Sequence, residues 1–145
     1  EKAYEKDPQA YLQRRITAAL SNIGYAYTRI SLYDRAADYL FKAAEIALAL
    51  DESQIAAQKL LFIEKNYKEY SKYPETLFML GFIYETKYQE LGKARSYYDR
   101  VVNDYPENDF ADDAAASIKT LGMSDEELIE HFKNLNKNRE AESAS

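Results

Sequence analysis

Cysteine is absent from the 145 residues, which removes disulfides, thiolate metal sites and cysteine nucleophiles together and says nothing about redox compartment. Only four glycines and three prolines interrupt a chain rich in Ala, Leu, Lys, Glu and Tyr, so helix is favoured almost throughout. No apolar run approaches the roughly 20 residues of a membrane span, and the opening EKAYEKDPQ has nothing of a signal peptide. Direct insertion into a membrane is not expected. The single histidine, His131, stands beside Glu130 on the last predicted helix, and no Gly-rich phosphate loop exists. No nucleophile, base and orienting acid can be assembled around it, so no catalytic residue is expected.

Charge is unevenly spread. Residues 1–73 hold 11 Lys or Arg against 10 Asp or Glu, a net of +1; residues 74–145 hold 8 against 15, a net of −7, which together make the −6 of the chain. Phosphate backbones need a basic stripe that displaces counterions, so nucleic acid is not an expected partner. The acidic run Asp104, Glu107, Asp109, Asp112, Asp113 lacks the alternating carboxylates, central Gly and closing Glu of a calcium loop. Acids at a helix start are ordinary dipole partners, and no metal or cofactor is expected. The pair Asp112-Asp113 and the run Asp125, Glu126, Glu127 face water by helical spacing and offer no cleft with two converging acids. A chain of this length is a single domain that buries roughly 70% of its unfolded surface without staples.

In chain order, Asp7-Pro8 is a helix start, Asp as cap and Pro in the first turn. Leu12, Ile16, Leu20, Ile23, Tyr27 and Ile30 then recur at steps of three and four, predicting one apolar stripe on a helix over 8–30. Tyr11, Ala18 and Tyr25 lie off that stripe, which implies contact on two sides or an exposed aromatic row. Asp34 opens a helix to about residue 50, with Ala37, Leu40, Ala44 and Ala47 or Leu48 inward. Ala56, Leu60, Ile63, Tyr67 and Tyr70 predict a helix over 53–72, ended by Pro74. Helices over 75–89 and 92–105 follow. Phe110, Ala114, Ile118 and Leu121 mark the next, stopped by Gly122. Ser124 and Glu127 form a capping box, with Met123 and Leu128 placed for a hydrophobic staple. Leu128, Phe132 and Leu135 are expected to close the stack, and residues 137–145 to be disordered.

Tyr73-Pro74-Glu75 and Tyr105-Pro106-Glu107 are the same tripeptide 32 residues apart. Reading both as junctions between helix pairs gives repeats at about 37–73 and 74–107, an N-terminal helix at 8–30 and closing helices at 108–136. A rival register takes Gly24 as the repeat glycine, with Leu20, Ile23 and Tyr27 before Ala36, Leu40 and Ala43. The first is preferred because the rival leaves the helix before Tyr73-Pro74 without a partner.

Within residues 74–106, Leu77, Leu80, Gly81 and Tyr84 make one helix face, and Ala94, Tyr98 and Val101 the facing one, before Pro106. Gly81 and Ala94 let the helices approach closely while Tyr84 and Tyr98 fill the space around the contact. This pattern resembles a tetratricopeptide repeat, which recurs at about 34 residues. Leu77 stands where the family prefers Trp, and one extra residue lies before Ala94. Leu40, Ala43, Ala44, Ala47, Ala56 and Leu60 take the same positions in the preceding repeat. The resemblance implies an all-α, right-handed α-α superhelix of about seven helices. LFMLGFIYE, GKARSYYDRVVNDYPENDFADDAAASIKTLG and SDEELIEHF together resemble the closing section of tetratricopeptide lipoproteins of Bacteroidetes-type bacteria, over roughly residues 36–135. That likeness implies a soluble part following a lipid anchor, on the periplasmic side of an envelope membrane; the cytoplasm is the alternative.

In this family the exposed face of each first helix lines the concave surface. By position that face is Asp38, Phe41, Glu45 and Leu48, then Glu75, Phe78, Phe82 and Glu85: aromatics among carboxylates, suited to a basic or amine-bearing segment. The same three phenylalanines equally fit a core between neighbouring helices. The family's carboxylate clamp uses Lys, Asn and Arg, which these positions do not supply. The function implied is a non-enzymatic protein-interaction scaffold. The alternative is a homo-oligomerisation unit, such as a homodimer, in which an unpaired N-terminal helix packs on a second copy.

Overall fold

The computed structural model describes residues 6–29 and 33–144; Ile30, and the side chain of Tyr27, lie outside what is described. Among the described residues the chain forms seven helices and no strand: α1 Pro8–Arg29, α2 Tyr33–Ala49, α3 Ser53–Asn66, α4 Tyr73–Thr86, α5 Leu91–Asp104, α6 Phe110–Thr120 and α7 Asp125–Ser143. The all-α expectation holds. Consecutive helices from α1 through α6 pack on one another, and α4 also touches α6. The result is a sequential stack. Its core runs through α2 to α6, with Leu40, Leu60, Ile63, Leu77, Leu80, Ile83, Tyr98 and Val101 fully buried.

Local signals account for three of the helix ends. Asp7 Oδ1 accepts from the Ala10 N–H at 3.0 Å and starts α1. Gly122 adopts φ +80° directly after α6, a left-handed geometry that suits glycine. The capping box of α7 is complete: the Glu127 N–H donates to Ser124 Oγ at 3.2 Å, and the Ser124 N–H donates to Glu127 Oε2 at 2.7 Å.

Four expectations are corrected. First, α3 ends at Asn66, six residues before the predicted end at Lys72. Tyr67 caps it through an N–H bond to the Ile63 carbonyl, and the chain turns twice, Tyr70 N–H to Tyr67 O and Tyr73 N–H to Tyr70 O. Tyr67 and Tyr70 still reach the core, but from turns. Second, the two Tyr-Pro-Glu tripeptides are not equivalent: Tyr73-Pro74 begins α4, whereas Tyr105 caps the end of α5 and Pro106 is exposed in the following loop. Proline fits both places because neither needs its N–H. Residues that do correspond lie 37 or 38 apart. Tyr67 and Tyr105 are matching caps with φ, ψ of −129°, 56° and −133°, 53°. Asp51 and Gln89, in the turns before α3 and α5, share a left-handed φ of 59° and 54°.

Third, the first helix is neither unpaired nor oriented as its stripe predicts. Its inward face is Thr17, Ser21 and Gly24, while Leu12, Ile16 and Ile23 are exposed. A Cβ at Gly24 would lie 2.9 Å from Leu40 Cγ and 3.1 Å from the Ala36 carbonyl oxygen. Small residues permit that approach, and the buried hydroxyls are satisfied within the helix, Thr17 Oγ1 donating to Gln13 O at 3.0 Å and Ser21 Oγ to Thr17 O at 2.8 Å. Thus α2 serves both registers, as partner to α1 and to α3. Fourth, α7 does not close the stack. It packs substantially on no other helix and buries no residue, leaving Phe132 and Leu135 exposed, and residues 137–143 continue it as helix. Lys, Arg, Glu and Ala with no Gly or Pro carry it that far.

Candidate functional site

Two first-type helices, α2 and α4, carry the residues that sequence reasoning singled out. On α2, Asp38, Phe41 and Glu45 follow one another at helical steps; on α4, Glu75, Phe78 and Phe82 do the same, 37 residues later. The aromatics fall into three situations. Phe41 is only 5% exposed, so it is core and unavailable as a platform. The Tyr70 ring meets it edge-on at 6.2 Å and the Lys72 ammonium lies 5.1 Å from its centroid. Phe78 is half-buried, 5.5 Å from the Tyr98 ring and 5.0 Å from Phe110, and so joins α4 to α5 and α6. Phe82 is 44% exposed and is the one phenylalanine of the three presented to solvent. Leu48 is partly buried against the core.

The carboxylates are held by donors from the loops and the second-type helices. Tyr70 O–H donates to Asp38 Oδ1 at 2.8 Å, and Asn108, 38 residues further on, donates through Nδ2 to Glu75 Oε1 at 3.5 Å. The matching partners confirm the 37- to 38-residue recurrence at the level of single bonds. The two bonds differ in quality. The phenol is short and direct, whereas the amide contact is long and leaves Glu75 Oε2 buried with no hydrogen-bond partner. Tyr98 O–H donates to Glu85 Oε2 at 2.7 Å, and exposed Glu45 pairs with Lys42 at 3.2 Å.

Electrostatics tie this group together. Burial pushes the Tyr70 phenol well above the ordinary range; its bond to Asp38 and the negative charges of Asp38, Glu75 and Glu45 push it further. Of these carboxylates Asp38 is bonded directly to the phenol. Tyr98 is raised in the same direction, by burial and then by Glu85. Such phenols remain protonated donors to the carboxylates they meet. The local field is negative, relieved at its edges by Lys42 and Lys72.

The residues named as repeat positions differ in burial. Leu40, Ala44, Ala56, Leu77, Ala94 and Tyr98 are fully buried, Gly81 is buried, Tyr84 is partly buried and Pro106 is exposed. Tyr70 and Asn108 were missed as site residues, because the stripe placed Tyr70 on a helix and Asn108 only at a helix start. Their 38-residue separation was the available signal. His131 stands on α7, remote from this face, with its ring 5.6 Å from that of Phe132. Among the described residues no three His, Asp or Glu side chains are grouped to hold a metal ion, and no helix is long and apolar enough to cross a membrane. No family model, curated protein or solved structure matches the chain.

Proposed function

We propose that the chain is a tetratricopeptide-type scaffold, a right-handed superhelix that holds a basic or amine-bearing protein segment on the face of α2, α4 and α6, without catalysing a reaction. The carrying observation is that α2 and α4 present, 37 residues apart, Asp38 held by Tyr70 and Glu75 held by Asn108, with exposed Glu45 on α2 and solvent-exposed Phe82 on α4. Carboxylates already fixed by phenol and amide donors lose little freedom when a cation arrives, and an exposed ring adds area at small entropic cost. The superhelical reading is supported by the 37- to 38-residue recurrence, by the α4–α6 contact and by the close approach at Gly81. The likeness to Bacteroidetes-type lipoproteins supports a periplasmic setting on an anchored longer protein. A reading frame whose upstream part ends a signal sequence at a Cys would fit that setting, and a start codon beside Glu1 would not.

The test is fluorescence anisotropy with a labelled, unstructured peptide alternating lysine and apolar residues. The protein is expected to bind it, with affinity falling as salt rises. The double variant Phe82→Ala, Glu45→Lys, altered only at exposed positions, is expected to weaken binding about tenfold or more, as loss of an aromatic anchor and a charge reversal together imply. Equal binding of a glutamate counterpart, or an unaffected double variant, overturns the reading.

A further inference from the structure

Each carboxylate on the face proposed for binding already gives one oxygen to a donor of its own chain. Asp38 Oδ1 accepts from the Tyr70 phenol at 2.8 Å, and Glu45 Oε2 from the Lys42 ammonium at 3.2 Å. Glu75 Oε1 meets the Asn108 amide at 3.5 Å, and Glu85 Oε2 accepts from the Tyr98 phenol at 2.7 Å. Among the described residues no donor reaches the second oxygen of any of them, and that of Glu75 is also shut away from solvent. Each is therefore a one-point acceptor.

That condition separates the two basic side chains. A guanidinium draws its strength from two parallel N–H bonds to both oxygens of one carboxylate, and here one oxygen of every carboxylate is taken. An ammonium loses nothing, because it is a compact charge whose three donors serve single oxygens on different side chains. The chain itself supplies two examples. Lys42 pairs with Glu45, and the Lys72 ammonium lies 5.1 Å from the centre of the Phe41 ring, one helical turn along α2 from Asp38. The arginine pairs, Arg14–Glu52, Arg95–Asp99 and Arg100–Glu64, involve none of these carboxylates. We infer that the segment held on this face is selected by its lysine side chains over arginine, with Tyr70 and Lys42 setting the preference by occupying carboxylate oxygens. This rests on the binding role proposed above and narrows it. A free chain N-terminus brings one amine only, whereas the carboxylates are spread over α2 and α4, so several lysines along one segment match them better than a terminal amine.

Two peptides test this: the lysine peptide named above and a counterpart with arginine at every lysine, both acetylated at the N-terminus and labelled at the C-terminus. In fluorescence anisotropy the lysine peptide is expected to bind about fivefold tighter, the ratio that one net hydrogen bond represents. Tyr70→Phe and Lys42→Gln each leave one carboxylate with both oxygens free, and in each the arginine peptide is expected to gain, so the ratio falls. Lys42 is exposed, and phenylalanine at position 70 keeps the ring that meets Phe41. Helical circular dichroism checks that each variant is folded; the unaltered protein with the two peptides decides the matter if one is not. Equal or tighter binding of the arginine peptide, with both peptides bound, overturns the inference and leaves the binding role standing. So does a lysine preference that neither variant reduces, since oxygen occupancy would not be its cause. Binding of neither peptide removes the binding role and this inference with it.

Discussion

The ring of Tyr98 occupies the space that position 81 leaves empty. A Cβ built on Gly81 would lie 2.6 Å from Cε1 and 2.8 Å from Cδ1 of that ring, closer than real Cβ atoms come. The ring cannot swing aside easily, since Tyr98 is fully buried and its hydroxyl is tied to Glu85. Gly81→Ala is therefore expected to destabilise the fold by about 1–3 kcal/mol through overpacking. Gly92, on the next helix, has nothing within 4 Å of its built Cβ, and Gly92→Ala should be neutral or stabilising by up to about 1 kcal/mol. Urea denaturation of both variants measures the contrast; equal effects would refute the close contact.

A second prediction separates the two faces of α1. Leu12→Ala should change monomer stability by less than about 0.5 kcal/mol, because the side chain is exposed. Ser21→Leu should cost about 1–3 kcal/mol, because the buried face toward α2 has no room for three more carbons. The apolar stripe alone would suggest the opposite ranking. Thermal melts at low protein concentration, where self-association does not contribute, decide between them.

Alkaline pH supplies a third. Burial raises Tyr70, Tyr73, Tyr97, Tyr98 and Tyr105, with Tyr97 pushed up to about 12. A phenol with a raised folded pKa keeps its proton in the fold at pH values where the unfolded chain has lost it. The stability it contributes is intact below the unfolded value of about 10 and declines as pH rises from there through the folded value. Chemical denaturation between pH 9 and about 12 should thus show a falling unfolding free energy, with phenolate absorbance completing only as helix is lost. A flat profile across that window would show that these phenols are not buried as described.

The face proposed for binding was only partly legible in the sequence. The resemblance to a tetratricopeptide repeat named Asp38, Glu45, Glu75 and Phe82 by position, and periodicity reports only which residues share a face of one helix. It could not separate Phe41, which Tyr70 and Lys72 cover, from Phe82, which nothing covers to the same degree. That difference depends on the turns after α3, whose bonds form between residues three apart and leave no periodic signature.

What this sequence settles by itself is local: helical class from composition, helix starts at Asp7 and Ser124, the stop at Gly122 and the small-residue contact at Gly81. These rest on backbone geometry and neighbours a few residues away, which amino-acid type controls directly. The tertiary structure alone decided which side of α1 turns inward, where α3 stops and that α7 stands apart. An apolar stripe records a surface that water disfavours, without recording what covers it. At α1, the close approach of Gly24 to Leu40 took the inner position and left Leu12, Ile16 and Ile23 outside.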